Sequence, residues 1–370
     1  MLTILIGRKF DFKNSLTYAP FMYLGEFLGG LILNLIQKKL IKKRVEKKNQ
    51  YFMSIKLIQN ENEEGDYLPP KDGTFKILFI ILVTALLDGI QFLLWAIYIP
   101  KFQNISPSLP SRLCGISCIF AGIYYIYILR LSIYKHHKFS LIIFGVCTII
   151  TLIFEFLLQE IDIFLTYAEF IEALAFIILT HIFAPLVDSL EKYLFEYNRL
   201  NPFRVLMLEG LFGFFLSFFF IFTPKYFEDM SGVYKEYSSG KLVLFIFLIF
   251  LFIILSSARN AFKMITIELY SPMTRILTDI ILTPIILLVF RLILKIENEN
   301  ILYFIINFIL ALIISFCGCI YDEFIILFIC GLETNTHDQI SKRAKLNYGN
   351  TEFKLIDDID GELDEDSQKN

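Results

Sequence analysis

The sequence predicts an all-α polytopic membrane protein of about nine transmembrane helices, and three observations carry that expectation. Of the 370 residues, 56% are hydrophobic, against roughly 45–50% in soluble domains, and mean hydropathy is +0.62. Apolar runs of about twenty residues recur along the chain. That is the length a helix needs to cross the hydrocarbon core, whereas barrel strands alternate in character and are only about ten residues long. Lysine and arginine gather in alternate connections between the runs, as they do on the cytosolic side of membrane proteins. The formal net charge of -3 gives no reason to expect a nucleic-acid partner.

The runs cover 18–37, 75–98, 107–129, 139–157, 165–189, 203–223, 241–262, 272–294 and 301–320. The first is preceded by "MLTILIGRKF", too short before its charges for a cleaved signal peptide. It ends at the basic run "QKKLIKKRVEKKNQ" (37–50), and the second carries a single acid, Asp88, deep inside. The third opens on "SLPSR" (108–112), the fourth follows "RLSIYKHHK" (130–138), and the fifth follows the acidic "LQEIDI" (158–163). The sixth follows the turn "EKYLFEYNRLNPFR" (191–204), the seventh "FEDMSGVYKEYSSG" (227–240), and the eighth opens on "SPMTR" (271–275). Six cysteines lie in or beside these runs, where thiols pack as small hydrophobes. No Cys/His spacing resembles a zinc site.

If the runs alternate in direction, the basic segments 37–50, 130–138, 191–204 and "SKRAK" (341–345) fall on one side. That side is expected to be cytosolic, with the carboxyl terminus inside and the amino terminus outside. The expected organisation is a first membrane repeat over 1–157, with a cytosolic loop at 38–73, and a second repeat over 158–325. A polar, acidic cytosolic tail follows at 326–370. "ENEEGDYLPPKDG" (61–73) and "DDIDGELDEDSQKN" (357–370) have too few apolar residues to pack. "YDEF" (321–324) matches a tyrosine-based sorting signal, a pattern common by chance.

Two patterns recur between the halves. "YLGEFLGG" (23–30) sets Glu26 among glycines in one run, and "LEGLFG" (208–213) does the same with Glu209. "SLPSR" and "SPMTR" each open a run with Ser, Pro, a hydroxyl residue and an arginine, Arg112 and Arg275. Matching runs cross in opposite directions, an inverted repeat of the kind found in secondary transporters. Glu26 and Arg112 are expected to pair toward the outer side, and Glu209 and Arg275 toward the inner side.

"NPFRVLMLEGLFGF" (201–214), preceded by "LEKYLFEYN" (190–198), resembles the signature of the drug/metabolite transporter superfamily, and most of all subfamily F of solute carrier family 35, in its member-six-like branch. "ELYSPMTRILTD" (268–279) is similar to the second signature of that group, and "MYLGEFLG" (22–29) and Asp88 fall where it has a Gly-Glu and an Asp. The resemblance covers about 18–325. It implies ten helices in two inverted five-helix, EamA-like bundles around a central cavity, and the first of the ten has no counterpart before residue 18. The bulky "IFAGIYYIYILR" (119–130) departs from the small-residue pattern of the family.

The candidate substrate-binding or gating residues are Glu209, Arg275, Thr274, Asp279, Asp88, Glu26 and Arg112. A carboxylate within a span needs a protein partner or a water-filled cavity, because burial of an unpaired charge is costly. Arg275 offers a planar fork for an anionic substrate. Asp279, four residues on, shares its helix face and is the competing partner, and Thr274 adds a hydroxyl. Asp88 is the candidate for proton coupling, against a plain helix–helix hydrogen bond. His181 in "LTHIFAP" reads as a packing residue.

The function expected is secondary-active transport of a small, anionic metabolite of the nucleotide-sugar or drug-metabolite type, by alternating access in an endomembrane (Golgi, ER or lysosome/vacuole). The competing expectation is a non-transporting membrane scaffold of the same fold. An enzyme is not expected, for want of a Gly-x-Gly-Asp, histidine boxes or a nucleophile elbow. No cofactor and no metal are expected. The expected partners are an unidentified small-molecule substrate and membrane lipids, with proton coupling and a homodimer compatible with the sequence.

Overall fold

The computed structural model describes residues 18–55, 72–101, 109, 113–130, 134–158, 167–221, 239–289 and 301–326. These contain nine α-helices: α1 (Ala19–Ile55), α2 (Thr74–Lys101), α3 (Gly115–Tyr127), α4 (Lys135–Leu158), α5 (Tyr167–Asn198), α6 (Pro202–Ile221), α7 (Ser239–Leu269), α8 (Pro272–Leu288) and α9 (Ile301–Tyr321). No strand occurs among the described residues. Each helix overlaps one predicted run in order, and six are long and apolar enough to cross a membrane: α1, α2, α4, α5, α7 and α9. The protein is an all-α polytopic membrane protein.

Local chemistry sets the helix ends. Asn201 caps α6, its Oδ1 accepting from the Phe203 N–H at 2.9 Å, with Pro202 in the first helical position, where no N–H is needed. Ser271 caps α8 in the same way, accepting at Oγ from the Thr274 N–H at 3.0 Å, again followed by a proline. The end of α7 is closed by Lys192, whose ammonium donates to the carbonyls of Glu268 (2.9 Å) and Tyr270 (3.0 Å), a favourable place for a cation. Inside α8, Pro284 frees the Ile280 carbonyl, and the Ser315 hydroxyl from α9 donates to it at 3.2 Å.

Two boundaries differ from the sequence expectation. The loop predicted from residue 38 begins as helix, since α1 continues to Ile55. The stretch is rich in Lys, Leu, Ile and Gln, good helix formers, and has no Gly or Pro before position 65. Likewise α5 continues through the predicted turn to Asn198 and stops at Arg199, which adopts a left-handed φ of 51°.

The packing partners reveal the topology. Gly30 lies against Met207, Glu26 against Gly210 and Tyr23 against Gly213, so α1 and α6 run antiparallel in close register. Gly25 meets Ile253 and Gly29 meets Ser257, so α1 and α7 run parallel. On the other side, Leu277 meets Gly318 and Thr274 meets Asp322, making α8 and α9 antiparallel. Gly115 meets Thr148 and Gly122 meets Leu141, which sets α3 against α4. These directions agree with strict alternation of nine crossings. The halves are therefore interleaved. One core joins α2, α5, α6 and α7 through Ile81, Leu194, Leu206 and Met264, and another joins α3, α4, α8 and α9 through Cys118, Phe144, Leu277 and Ile314. α5 connects them, packing Ala173 and Ile177 against Leu113 and Ile116. Large apolar side chains such as Ile32, Ile149 and Phe247 point outward, as lipid contact requires.

A polar clamp ties the start of α2 to the end of α5. The Asp72 carboxylate accepts from Lys76 (2.7 Å), Tyr193 (2.9 Å) and Asn198 (3.2 Å), and its N–H donates to the Asn198 amide oxygen at 2.9 Å. The Lys76 ammonium, with the two further donors, holds the Asp72 carboxyl below its ordinary range. A pKa lower in the folded than in the unfolded state contributes stability above about pH 4 that is lost as pH falls through the folded value. Asp72→Asn is expected to melt below wild type at neutral pH, with the gap narrowing as pH falls from 5 to 3. A gap that does not shrink over that range would count against the ionic part of the clamp.

Candidate functional site

The repeated glutamates meet in the middle of the interleaved helices. Glu26 (6% exposed) and Glu209 (7% exposed) line one cavity of about 30 Å³ together with Asp88, Glu191 and Lys263, room for about two waters. Glycines allow this meeting, because α1 and α6 approach so closely that Gly210 lies directly on Glu26 and Phe27. A second cavity of about 10 Å³, bordered by Cys114, Thr283 and Leu310, has no charged lining residue.

The two glutamates are held in a crossed arrangement. Glu26 of α1 accepts from the Asn260 amide of α7, and Glu209 of α6 accepts from the Thr84 hydroxyl of α2 at 2.6 Å. Beside them the Tyr23 hydroxyl donates to Asp88 at 3.1 Å. Lys263 of α7 forms ion pairs with Glu191 (2.6 Å) and Asp188 (3.2 Å) of α5. Arg275 joins the same Asp188 at 3.1 Å and reaches Asp279 at 3.7 Å. Five carboxylates (Glu26, Asp88, Asp188, Glu191 and Glu209) thus face two less exposed cations, Lys263 and Arg275, and the exposed Arg259 of α7 adds a third positive charge near Glu26. Glu191 Oε2 is buried with no hydrogen-bond partner among the described residues.

Several expected pairings differ. Glu209 does not pair with Arg275, because Asp188 lies closer to the guanidinium and Thr84 satisfies the glutamate. Nor do Glu26 and Glu209 sit at opposite faces. Each lies about two turns into an antiparallel neighbour, which brings them to one level. Arg112 lies outside the described residues, so its expected pairing with Glu26 does too. Asp279 does contact Arg275, yet its side chain is 66% exposed. Thr274 stands apart from the cavity, donating to Asp322 at 3.1 Å just beyond α9. There burial pushes the Asp322 carboxyl up to about 6, against that hydrogen bond. His181 contacts Ser117 across the α3–α5 interface at 2.7 Å. Tyr321 of the sorting-like "YDEF" is buried, 4% exposed, and stacks on His137, so that segment is not presented as a free peptide.

The sequence did not point to Asp188, Glu191, Lys263, Asn260, Thr84 or Tyr23. A signal existed for the first two: Asp188 and Glu191 are three apart, hence on one helix face, in a stretch, "IFAPLVDSLEKYLF" (182–195), whose apolar character continues past them. The chain matches no family model and no curated protein.

Proposed function

We propose that the protein is a secondary transporter working by alternating access, with its coupling site in the acidic cavity among α1, α2, α5, α6 and α7. The observation that carries this reading is the crossed pair Glu26–Asn260 and Glu209–Thr84. The recurring motif places equivalent carboxylates on α1 and α6, and each is bonded by the helix that follows the other. Such a pair lets two arrangements of the same contacts exchange, as rocking of inverted repeats about a central site requires. The resemblance to the drug/metabolite transporters points the same way.

The charge balance bears on what is moved. Lys263 and Arg275 are engaged by Asp188, Glu191 and Asp279, and with Arg259 counted the carboxylates remain in excess. This favours a proton or a cationic group as the species bound there, over the anionic metabolite expected from Arg275 alone.

The test is uptake by purified protein in liposomes, offered pooled amines, vitamins, nucleotides and nucleotide sugars, with and without an inward proton gradient. Retention of one compound class is expected, and Glu209→Gln is expected to abolish its dependence on the gradient while leaving the protein folded. A well-folded preparation that retains nothing from any pool would favour the scaffold.

A further inference from the structure

The cytosolic end of α4 under the predicted orientation, outside the acidic cavity, holds a second cluster of chemistry-bearing side chains. His136 and His137 open α4, and Glu323 follows α9. Each of the three offers one ligand atom, and these atoms lie within 4.8 Å of one another. We propose that His136, His137 and Glu323 bind a divalent first-row transition ion, with zinc the best match, which joins the start of α4 to the end of α9.

Three features support this. First, His136 is 2% exposed, and neither of its ring nitrogens has a hydrogen-bond partner among the described residues. A buried imidazole with both nitrogens unsatisfied is costly, and a metal bond to one of them removes part of that cost. Second, His136 Nε2 stands 3.2 Å from Glu323 Oε1, a contact that is an ion pair when the imidazole is protonated. Two ligands bound to zinc at about 2.0–2.1 Å with tetrahedral angles stand roughly 3.3–3.4 Å apart, close to the spacing seen. Third, Glu323 is a non-glycine residue at φ 61°, a conformation unfavourable for a side chain with Cβ, and it turns the carboxylate back toward α4.

The neighbours are compatible with an ion. The Tyr134 N–H approaches His137 Nδ1 only at 3.4 Å, the weak end of hydrogen bonding, so that nitrogen is not firmly committed. Tyr321 stacks on His137 with ring centroids 4.3 Å apart, fixing the ring plane. The amino-terminal end of a helix opposes a cation, and the Glu323 carboxylate offsets that opposition. Two imidazoles and one carboxylate suit zinc, cobalt or nickel rather than magnesium or calcium, which take oxygen ligands. Three protein ligands leave a fourth position for water or for a ligand from the cytosolic side.

The experiment uses the full chain, purified in detergent and stripped with a chelator. Cobalt(II) is titrated while its visible d–d absorption is followed, then zinc is added in competition, and bound zinc per chain is measured by mass spectrometry. Expected are one ion per chain, tetrahedral cobalt bands displaced by zinc, and a melting temperature raised by zinc. His136→Gln and Glu323→Gln are each expected to weaken binding by about a hundredfold or more, beyond the loss typical of outer partners. Both variants should elute and melt like the stripped wild type. Wild type that gives no cobalt band and no zinc-dependent rise in melting temperature would overturn the proposal and leave a protonated His136 paired with Glu323. Zinc binding left intact in both variants would overturn it equally.

Discussion

Asp188→Ala is expected to cost about 3–5 kcal/mol, the loss seen when one partner of a buried ion pair is removed. Asp188 is 1% exposed and is the shared partner of Lys263 at 3.2 Å and Arg275 at 3.1 Å. Among the described residues, its removal leaves Lys263 with Glu191 and Arg275 with the longer contact to the exposed Asp279. Asp188→Asn keeps an acceptor at the same place and loses the charge, so a smaller loss is expected. Adding Lys263→Met to Asp188→Asn should deepen the loss, since it also removes the partner of the buried Glu191 carboxylate. The measurement is the fraction of protein remaining monodisperse after heating in detergent. Asp188→Ala melting with the wild type would show that the carboxylate is not needed to hold the two cations.

The second large effect is expected at Gly210. A methyl there would fall 2.9 Å from the Cβ of Glu26, and closer still to the backbone nitrogen of Phe27. Neither atom belongs to the free end of a side chain, so α1 and α6 must separate. Gly210→Ala is expected to cost about 2–3 kcal/mol, as overpacking does, and Gly210→Leu more. Gly145→Ala is the matched control. Its added methyl meets only Ile119 Cδ1, at 3.8 Å, and alanine favours the helix by roughly 0.5–1 kcal/mol, so stability should hold or rise slightly. Equal losses at both glycines would mean that helix approach does not decide the effect.

Nine helices were legible because an apolar run of span length has few alternatives in lipid. The same rule made Glu26, Asp88 and Glu209 stand out, and all three line the cavity. What alternation does not determine is which helices touch. Arg275 had Asp279 within reach by sequence and Glu209 by symmetry, but its closest partner, Asp188, is 87 residues away. Glu191 escaped notice because the lysine and arginines further along made its stretch read as a cytosolic turn, whereas α5 carries it inside as continuous helix; Asp188 fell within the predicted run 165–189 and was not singled out. The run from 38 to 55 was misjudged for a related reason. High charge signals water, and water does not exclude a helix built of Lys, Gln and Leu.

The bond between Glu26 and Asn260 also has a consequence for biogenesis. Its two ends are separated by 234 positions, so at about 5–20 residues per second the ribosome needs roughly 12–47 s to deliver the amide after the carboxylate. Gly210, the close neighbour of Glu26, also arrives late. α1 is therefore made with its acid lacking this partner until six further helices have emerged. Slowing translation between the codons for residues 26 and 260 should increase quality-control degradation of the nascent chain, whereas slowing it after α9 should not.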